Sequence, residues 1–337
     1  MTGVRTRPRT GTRSRVDRWS ATGARRSAPR SSRAAHYLFV LPLLVVFAGF
    51  YLWPAVSTVA SSFFRWGLLN PWRVDAPSDW NFAGLDNYRQ TMSSGDFWNA
   101  GLNTAVWLIV FPLLVTAFAL AVSIMLWYTR VGTALLRSVF ILPMTISLAA
   151  TGVIWSFIYN PDPNVGVLNA ILKGLHLPAQ QWLSNLGTLN LGFADLKLVN
   201  LAVIMPAVWA FAGFGVITLT AGLTSVPDEL IEAARVDGAR PAQIVRHVIV
   251  PALRGPLTIV LVVSVIFALR TFDIVFVTTG GGPGRDTEVL ALLLWQEAFA
   301  FIDSPQGGVA AAIAVLMSAV LIVAAIPYLR KLVRRPR

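Results

Sequence analysis

The chain has 337 residues, of which 55% are hydrophobic and 13% charged, and a net charge of +12. Soluble domains carry about 25% charged residues, so part of this apolar surface must face something other than water. The absence of cysteine excludes disulfides, thiolate metal sites and thiol nucleophiles, and His36, His176 and His247 lie too far apart to form a metal-binding spacing.

The first 35 residues form a separate block with ten arginines, one acid (Asp17) and little that is large and apolar. Such a stretch cannot bury enough surface to fold and is expected to be disordered, acting as a positive anchor against anionic lipid. Arg25-Arg26 invites comparison with an export signal. The apolar stretch that follows is too long for one and lacks a small-residue cleavage site, so an uncleaved first helix is expected. Windows of about 20 apolar residues predict six spans, near 37–59, 103–128, 139–158, 199–223, 257–277 and 309–328. Prolines and glycines inside them (Pro42, Pro54, Pro112, Pro143, Pro206, Gly213, Gly215) are tolerated where neighbouring helices re-satisfy the freed backbone. The apolar run 290–301 is too short to span and carries Gln296 and Glu297, which predicts a short helix outside the bilayer.

The charges set an orientation. With the N-terminus inside, the cytoplasmic side holds the arginine tail, Arg130, Arg137, Arg235, Arg240, Arg246, Arg254 and the basic C-terminal end. The opposite side holds only Arg65, Arg73, Arg89, Lys173, Lys197 and Arg285. This is the expected excess of Lys and Arg on cytoplasmic loops, so both termini are placed in the cytoplasm. The net charge then reflects topology rather than nucleic acid, and the tail lacks the interleaved aromatics that stack on bases. The predicted organisation is a tail 1–35, a six-helix membrane domain 36–330 with a cytoplasmic loop 225–251, and a basic end 331–337. Loops 61–102 and 160–198 are placed outside, and both are large enough to meet an external partner.

Residues 225–251 read as two short helices joined by a turn. Ser225 is expected to cap the first, with Pro227 in its first turn, Gly238 to stop it with positive φ, and Pro241 to open the second. Ala233 and Ala234 beside Glu229, Glu232 and Asp237 suit close approach by a basic partner surface; an ordinary solvated elbow between two membrane helices fits the same residues.

Glu232-Ala233-Ala234, then Gly238, then Val248-x-Val250-Pro251, resembles the EAA loop of binding-protein-dependent ABC importer permeases, with valines for the usual Ile and Leu. Phe272-Asp273 through Thr278, Gly280 to Gly284 and Thr287 is similar to the FD…TxGGP…T segment of the carbohydrate branch, the maltose and glycerol-phosphate type. The resemblance covers the chain from about residue 36 onward. It implies an all-α membrane protein with six transmembrane helices, a type I-like permease fold, in a bacterial plasma (inner) membrane. It also implies a second homologous permease subunit, favouring a heterodimer, two copies of an ATP-binding subunit, and an extracytoplasmic sugar-binding protein. Glu232, Ala233, Ala234, Asp237, Gly238 and Pro251 become the residues expected to dock on the ATPase. The chain has no GxxxxGK[ST] loop, so ATP and magnesium are expected on that partner, with no cofactor and no catalysis on this chain.

Candidates for the substrate path are polar or aromatic residues within the spans: Asn103, Trp107, Trp209, Phe214, Thr218, Ser264 and Asp273. Asn103 is accompanied by Thr104, and Trp155 suits an interfacial anchor. Arg270 and Asp273, three residues apart, either pair with each other or line a pathway. Gly280–Gly284 reads as a flexible turn, since it lacks the lysine and helix of a phosphate cradle. A stand-alone transporter would need buried coupling carboxylates, which the spans lack apart from Asp273. An intramembrane enzyme would need a Ser–His or paired-acid constellation, and none is present at membrane depth.

Overall fold

The structure, a computed structural model, describes residues 33–67, 70–73, 75, 81–129, 133–184, 186–190, 195–300 and 306–333. The expectations for the tail before residue 33, for Arg130 and for residues 334–337 lie outside the described residues. The chain divides into two compact units, Met1–Ala55 and Val56–Arg337. In the first, α1 (Arg33–Phe47) runs into a π-helical turn (Ala48–Leu52), and its apolar side chains, Leu43, Phe50 and Tyr51 among them, are exposed.

The second unit opens in α2 (Trp53–Ser61). A small hairpin follows, β1 (Phe64–Arg65) with β2 (Asn81–Phe82), then α3 (Asp86–Ser93) and the 34-residue α4 (Gly95–Tyr128). Next come α5 (Thr133–Ile141), α6 (Leu148–Ile158), α7 (Val167–Gly174) and a second hairpin, β3 (Thr188–Asn190) with β4 (Asp195–Lys197). The 25-residue α8 (Val199–Leu223) precedes the loop helices α9 (Asp228–Val236), α10 (Pro241–Ile244) and α11 (Val250–Ala252). The chain ends with α12 (Arg254–Leu269), α13 (Asp273–Thr278), α14 (Leu290–Trp295) and α15 (Gly307–Val333).

The core is the α4–α8 pair. In α4 the buried positions Ala100, Thr104, Trp107, Phe111, Val115, Ala119, Val122 and Leu126 recur every three or four residues, which gathers them on one face. From Trp107 onward they pack against Val203, Ala207, Val216 and Leu219 of α8 and Val260 of α12, whereas Ala100 packs with Leu293, Val309 and Ile313. Glycine permits the closest approaches. A Cβ at Gly215 would lie 2.6 Å from that of Ala119, and one at Gly213 would lie 2.8 Å from the carbonyl oxygen of Phe140.

Among the described residues, three helices are long and apolar enough to cross a membrane, Val40–Ser61, Gly95–Tyr128 and Val199–Leu223, or five if each of two bent pairs is one span. The fourth predicted span, 199–223, has the bounds of α8. Two predicted spans are not single straight helices. The stretch 139–158 is not one rod: Leu135–Thr145 and Leu148–Ile158 meet at 103°. Pro143 tightens the first into a 3-10 turn, and the Ser147 hydroxyl caps the second by accepting from the Ala150 N–H at 3.2 Å. The stretch 257–277 breaks at residues 270–272, where Phe272 leaves the helical region (φ −137°, ψ −61°) before Asp273 opens α13.

Candidate coupling helix and substrate path

The loop between α8 and α12 folds much as its sequence dictates. Gly238 takes φ +78°, which ends α9, and Pro241 occupies the first turn of α10, where its missing N–H costs nothing. The backbone N–H of Arg240 donates to Gln243 Oε1 at 2.7 Å, bracing that turn. The expected Ser225 cap does not form. Its hydroxyl donates back to the Gly222 carbonyl at 2.7 Å, and Pro227 precedes α9 without a side-chain cap.

Helix α9 has two unlike faces. Ile231 is buried and Ala234 half-buried in a cluster with Leu223, Ile244, Ile249 and Leu253, which fixes the loop to the ends of α8 and α12. The opposite face presents Leu230 (53% exposed), Ala233 and Val236 (88% exposed) at i, i+3, i+6. Glu229, Glu232 and Asp237 are exposed around this ridge, and none has an ion-pair partner among the described residues. Glu232 also borders a hollow of about 330 Å³ with Trp127, Tyr128, Asp228, Ile231 and Arg235. The two alanines of the sequence motif therefore differ: Ala233 faces outward and Ala234 packs inside. Pro251 is half-buried in α11, away from the ridge. Leu230 and Val236 were missed from the sequence, although their spacing opposite Ile231 carries the signal.

The substrate-path candidates separate sharply. Asn103 is 5% exposed and Trp107 fully buried against Phe111, with ring centroids 5.9 Å apart. Ser264 is fully buried and donates to the Val260 carbonyl at 2.7 Å, and Thr218 donates to the Phe214 carbonyl at 2.8 Å. Phe214 is half-buried on Phe211 (5.4 Å), and Trp209 is 37% exposed, 6.1 Å from Trp155. Asp273 of this set lines an open cavity.

That cavity, about 320 Å³, lies at the break between α12 and α13. Its lining includes Phe211, Phe267, Phe272, Thr271, Arg270 and Asp273. Arg270 and Asp273 do not pair with each other, because the break puts one at the end of a helix and the other at the start of the next. Both are exposed, and neither is in an ion pair among the described residues. Phe211, Phe267 and Thr271 went unnoticed in the sequence, where an aromatic residue in a uniformly apolar run carries no mark of the side it faces.

Asn103 serves a different structure. Its amide donates to the Glu288 carbonyl at 2.9 Å and accepts from Asn200 Nδ2 at 3.1 Å, which also donates to the Asp286 carbonyl at 2.9 Å. Asn99 donates to the Arg285 carbonyl at 2.7 Å, and Thr104 Oγ1 accepts from the Leu290 N–H at 3.0 Å. The Gly280–Gly284 turn thus leads into a segment clamped onto α4 and α8. Thr287 closes the clamp from within, sharing a 2.7 Å hydrogen bond with Thr279 and donating to the Gly282 carbonyl at 2.8 Å. Glu288 is 1% exposed beside Arg285 (3.5 Å), which also pairs with Asp96; burial pushes its carboxyl above the usual carboxylate range.

Residues 33–336 match the family described as binding-protein-dependent transport system inner membrane component. The trehalose/maltose transport system permease protein MalF of Thermococcus litoralis is 31% identical to the chain, over 87% of this chain and 92% of its own. The osmoprotective compounds uptake permease protein GgtC of Synechocystis is 32% identical over 83% and 93%. The fold is similar to a subunit in the crystal structure of a bacterial ABC transporter involved in the import of the acidic polysaccharide alginate. The TM-score is 0.71 at 18% identity, over 89% of this chain and 96% of that one. With nearly the whole chain matched, and relatives above 30% identical along most of its length, this protein belongs to the binding-protein-dependent transport system inner membrane components.

Proposed function

We propose that this chain is one permease subunit of an ATP-driven importer for a sugar or sugar derivative, paired with a second homologous permease and driven by two ATP-binding subunits. In this reading it crosses the bacterial inner membrane six times with both termini cytoplasmic, and an extracytoplasmic binding protein delivers the substrate.

The outer face of α9 carries the reading. An apolar ridge of Leu230, Ala233 and Val236, ringed by Glu229, Glu232 and Asp237 without ion-pair partners among the described residues, suits a groove with basic edges on another protein. Ile231 and Ala234 tie that ridge to α8 and α12, so a push on α9 moves the helices that border the cavity. Gly238 shapes the turn behind it. The sugar assignment is supported by the relative named for trehalose and maltose. The cavity at the α12–α13 break agrees in chemistry: Phe211, Phe267 and Phe272 offer faces to sugar C–H surfaces, and Arg270, Thr271 and Asp273 offer hydroxyl partners.

The test is affinity purification of the full chain from its own membrane. An ATP-binding subunit and a second permease should co-purify. Burying Leu230 and Val236 contributes on the order of 2 kcal/mol, so the pair Leu230→Ser, Val236→Ser should weaken ATPase retention more than about tenfold. Glu232→Ala should abolish sugar uptake while the chain still inserts. Recovery of the chain alone, or uptake unchanged in Glu232→Ala, overturns the reading.

A further inference from the structure

The segment between α6 and β3 holds an apolar surface that the transport reading leaves unused. Along and just beyond α7, Val165, Val167, Ile171, Leu175 and Leu177 are each more than half exposed. Lys173 is the charged residue on that helix. The inner side of the segment is tightly built. Asn169 is fully buried, donates to the carbonyls of Asn160 and Gln180 at 2.9 Å each, and accepts from the Gln180 N–H at 2.8 Å. Asp162 is occupied within the turn before α7, accepting from both nitrogens of Asn164 at 2.9 Å. The apolar stripe is therefore the outside of an ordered element and not a stretch of unfolded loop.

Its height is fixed by the same bonds. Asn160 lies two residues past the end of α6, so Asn169 pins α7 at the level where that helix stops. Helix α6 likewise exposes apolar Val153, Ile154 and Phe157. Under α7, Trp155, Tyr159 and Trp182 line an apolar cavity of about 480 Å³ with Leu168 from its inner face. Tyrosine and tryptophan gather at the depth where hydrocarbon gives way to headgroups. In an inner membrane component, an apolar stripe at this level, with one lysine and no carboxylate on the helix, supplies the apolar face of an interfacial helix and a basic group to set among headgroups.

We propose that α7 is such a helix: it lies in the membrane surface with Val167, Ile171 and Leu175 in the acyl boundary and Lys173 among anionic headgroups, bracing the end of α6 against lipid. The inference rests on the reading of α6 as membrane-embedded. The cysteine-free chain allows single nitroxide labels at Phe157→Cys, Ile171→Cys, Leu175→Cys and Lys173→Cys. They are read in the full chain, purified with its co-expressed partner subunits, in nanodiscs of phosphatidylethanolamine and phosphatidylglycerol. Collision with oxygen should dominate collision with a water-soluble nickel chelate at 157, 171 and 175. The oxygen-to-nickel ratio at 171 and 175 should lie within about twofold of that at 157 and several-fold above that at 173. Nickel access at 171 and 175 with oxygen dominant at 157 overturns the inference alone. Shielding of 171 and 175 from both reagents does so too, and assigns the stripe to a protein partner. Nickel access at all sites overturns the membrane placement of α6 and the inference with it.

Discussion

Asn103 is the residue whose role changed most between chain and fold. A polar side chain within an apolar span invites a pathway role, because nothing nearby in sequence can satisfy it. Its partners come from residues 285–288 and from Asn200, the Glu288 carbonyl lying 185 positions away. That separation is why the clamp was not legible in the sequence, whereas the polar character that requires some partner was. Glu288, held in the same clamp outside the predicted spans, gives a pH dependence with a definite sign. Its folded pKa is raised from 4.5 by burial, partly opposed by Arg285 and reinforced by Asp96 and Glu297. Folding therefore favours the protonated acid, and that stability is fully present below the ordinary carboxylate range. It is lost as pH rises through the raised value. The thermal unfolding midpoint of the purified chain should fall as pH rises above the ordinary carboxylate range, and Glu288→Gln should flatten that decline. An equal slope in the variant would show that other groups set it.

At the scale of elements, the longest helices were read best. The bounds of α8 agree with the apolar window 199–223, and α4 extends the window 103–128 by eight residues into Asp96 and Asn99, too polar for a hydropathy scan. The breaks at Pro143–Ser147 and at Arg270–Phe272 escaped notice, since proline and polar residues are tolerated in membrane helices and give no warning of a bend. Packing between helices was also hidden, because lipid-facing and core-facing positions are equally apolar. Glycines were the one visible clue. At Gly215 a Cβ would sit 2.6 Å from that of Ala119, so Gly215→Ala should push α8 off α4. Overpacking of this kind costs about 1–3 kcal/mol. Gly101, on α4, has open space where its Cβ would be, and Gly101→Ala should be neutral or stabilise by up to about 1 kcal/mol. Unfolding midpoints of the two variants in one detergent decide the matter: a lower midpoint for Gly101→Ala than for Gly215→Ala would sink this account of the interface.

For the whole molecule, the strongest statement available from sequence was the asymmetry of charge, and it leads to the most direct test. The arginines of the loop around α9 (Arg235, Arg240, Arg246 and Arg254) stand on the side assigned to the cytoplasm, whereas the loop around α7 carries Lys173 and Lys197. Helix α9 can meet an ATP-binding subunit only on the side where ATP is held. If the excess of positive charge governs insertion, α7 and α9 lie on opposite faces of the membrane. The sequence holds no cysteine, so each introduced thiol reports without background. Asp162, in the turn before α7, and Asp237, at the end of α9, are both exposed and outside any ion pair among the described residues. A membrane-impermeant maleimide added to spheroplasts, which expose the outer face of the inner membrane, should label Asp162→Cys at once and Asp237→Cys only after lysis. Labelling of both before lysis would place α9 outside, where no ATPase can reach it, and the coupling role would fall even if the fold and family stand. Reversed labelling would fail in the same way and would show that these arginines do not set the orientation. The predicted pattern would put the Leu230–Val236 ridge on the side that the proposed ATP-binding subunit requires, opposite the proposed delivery of substrate.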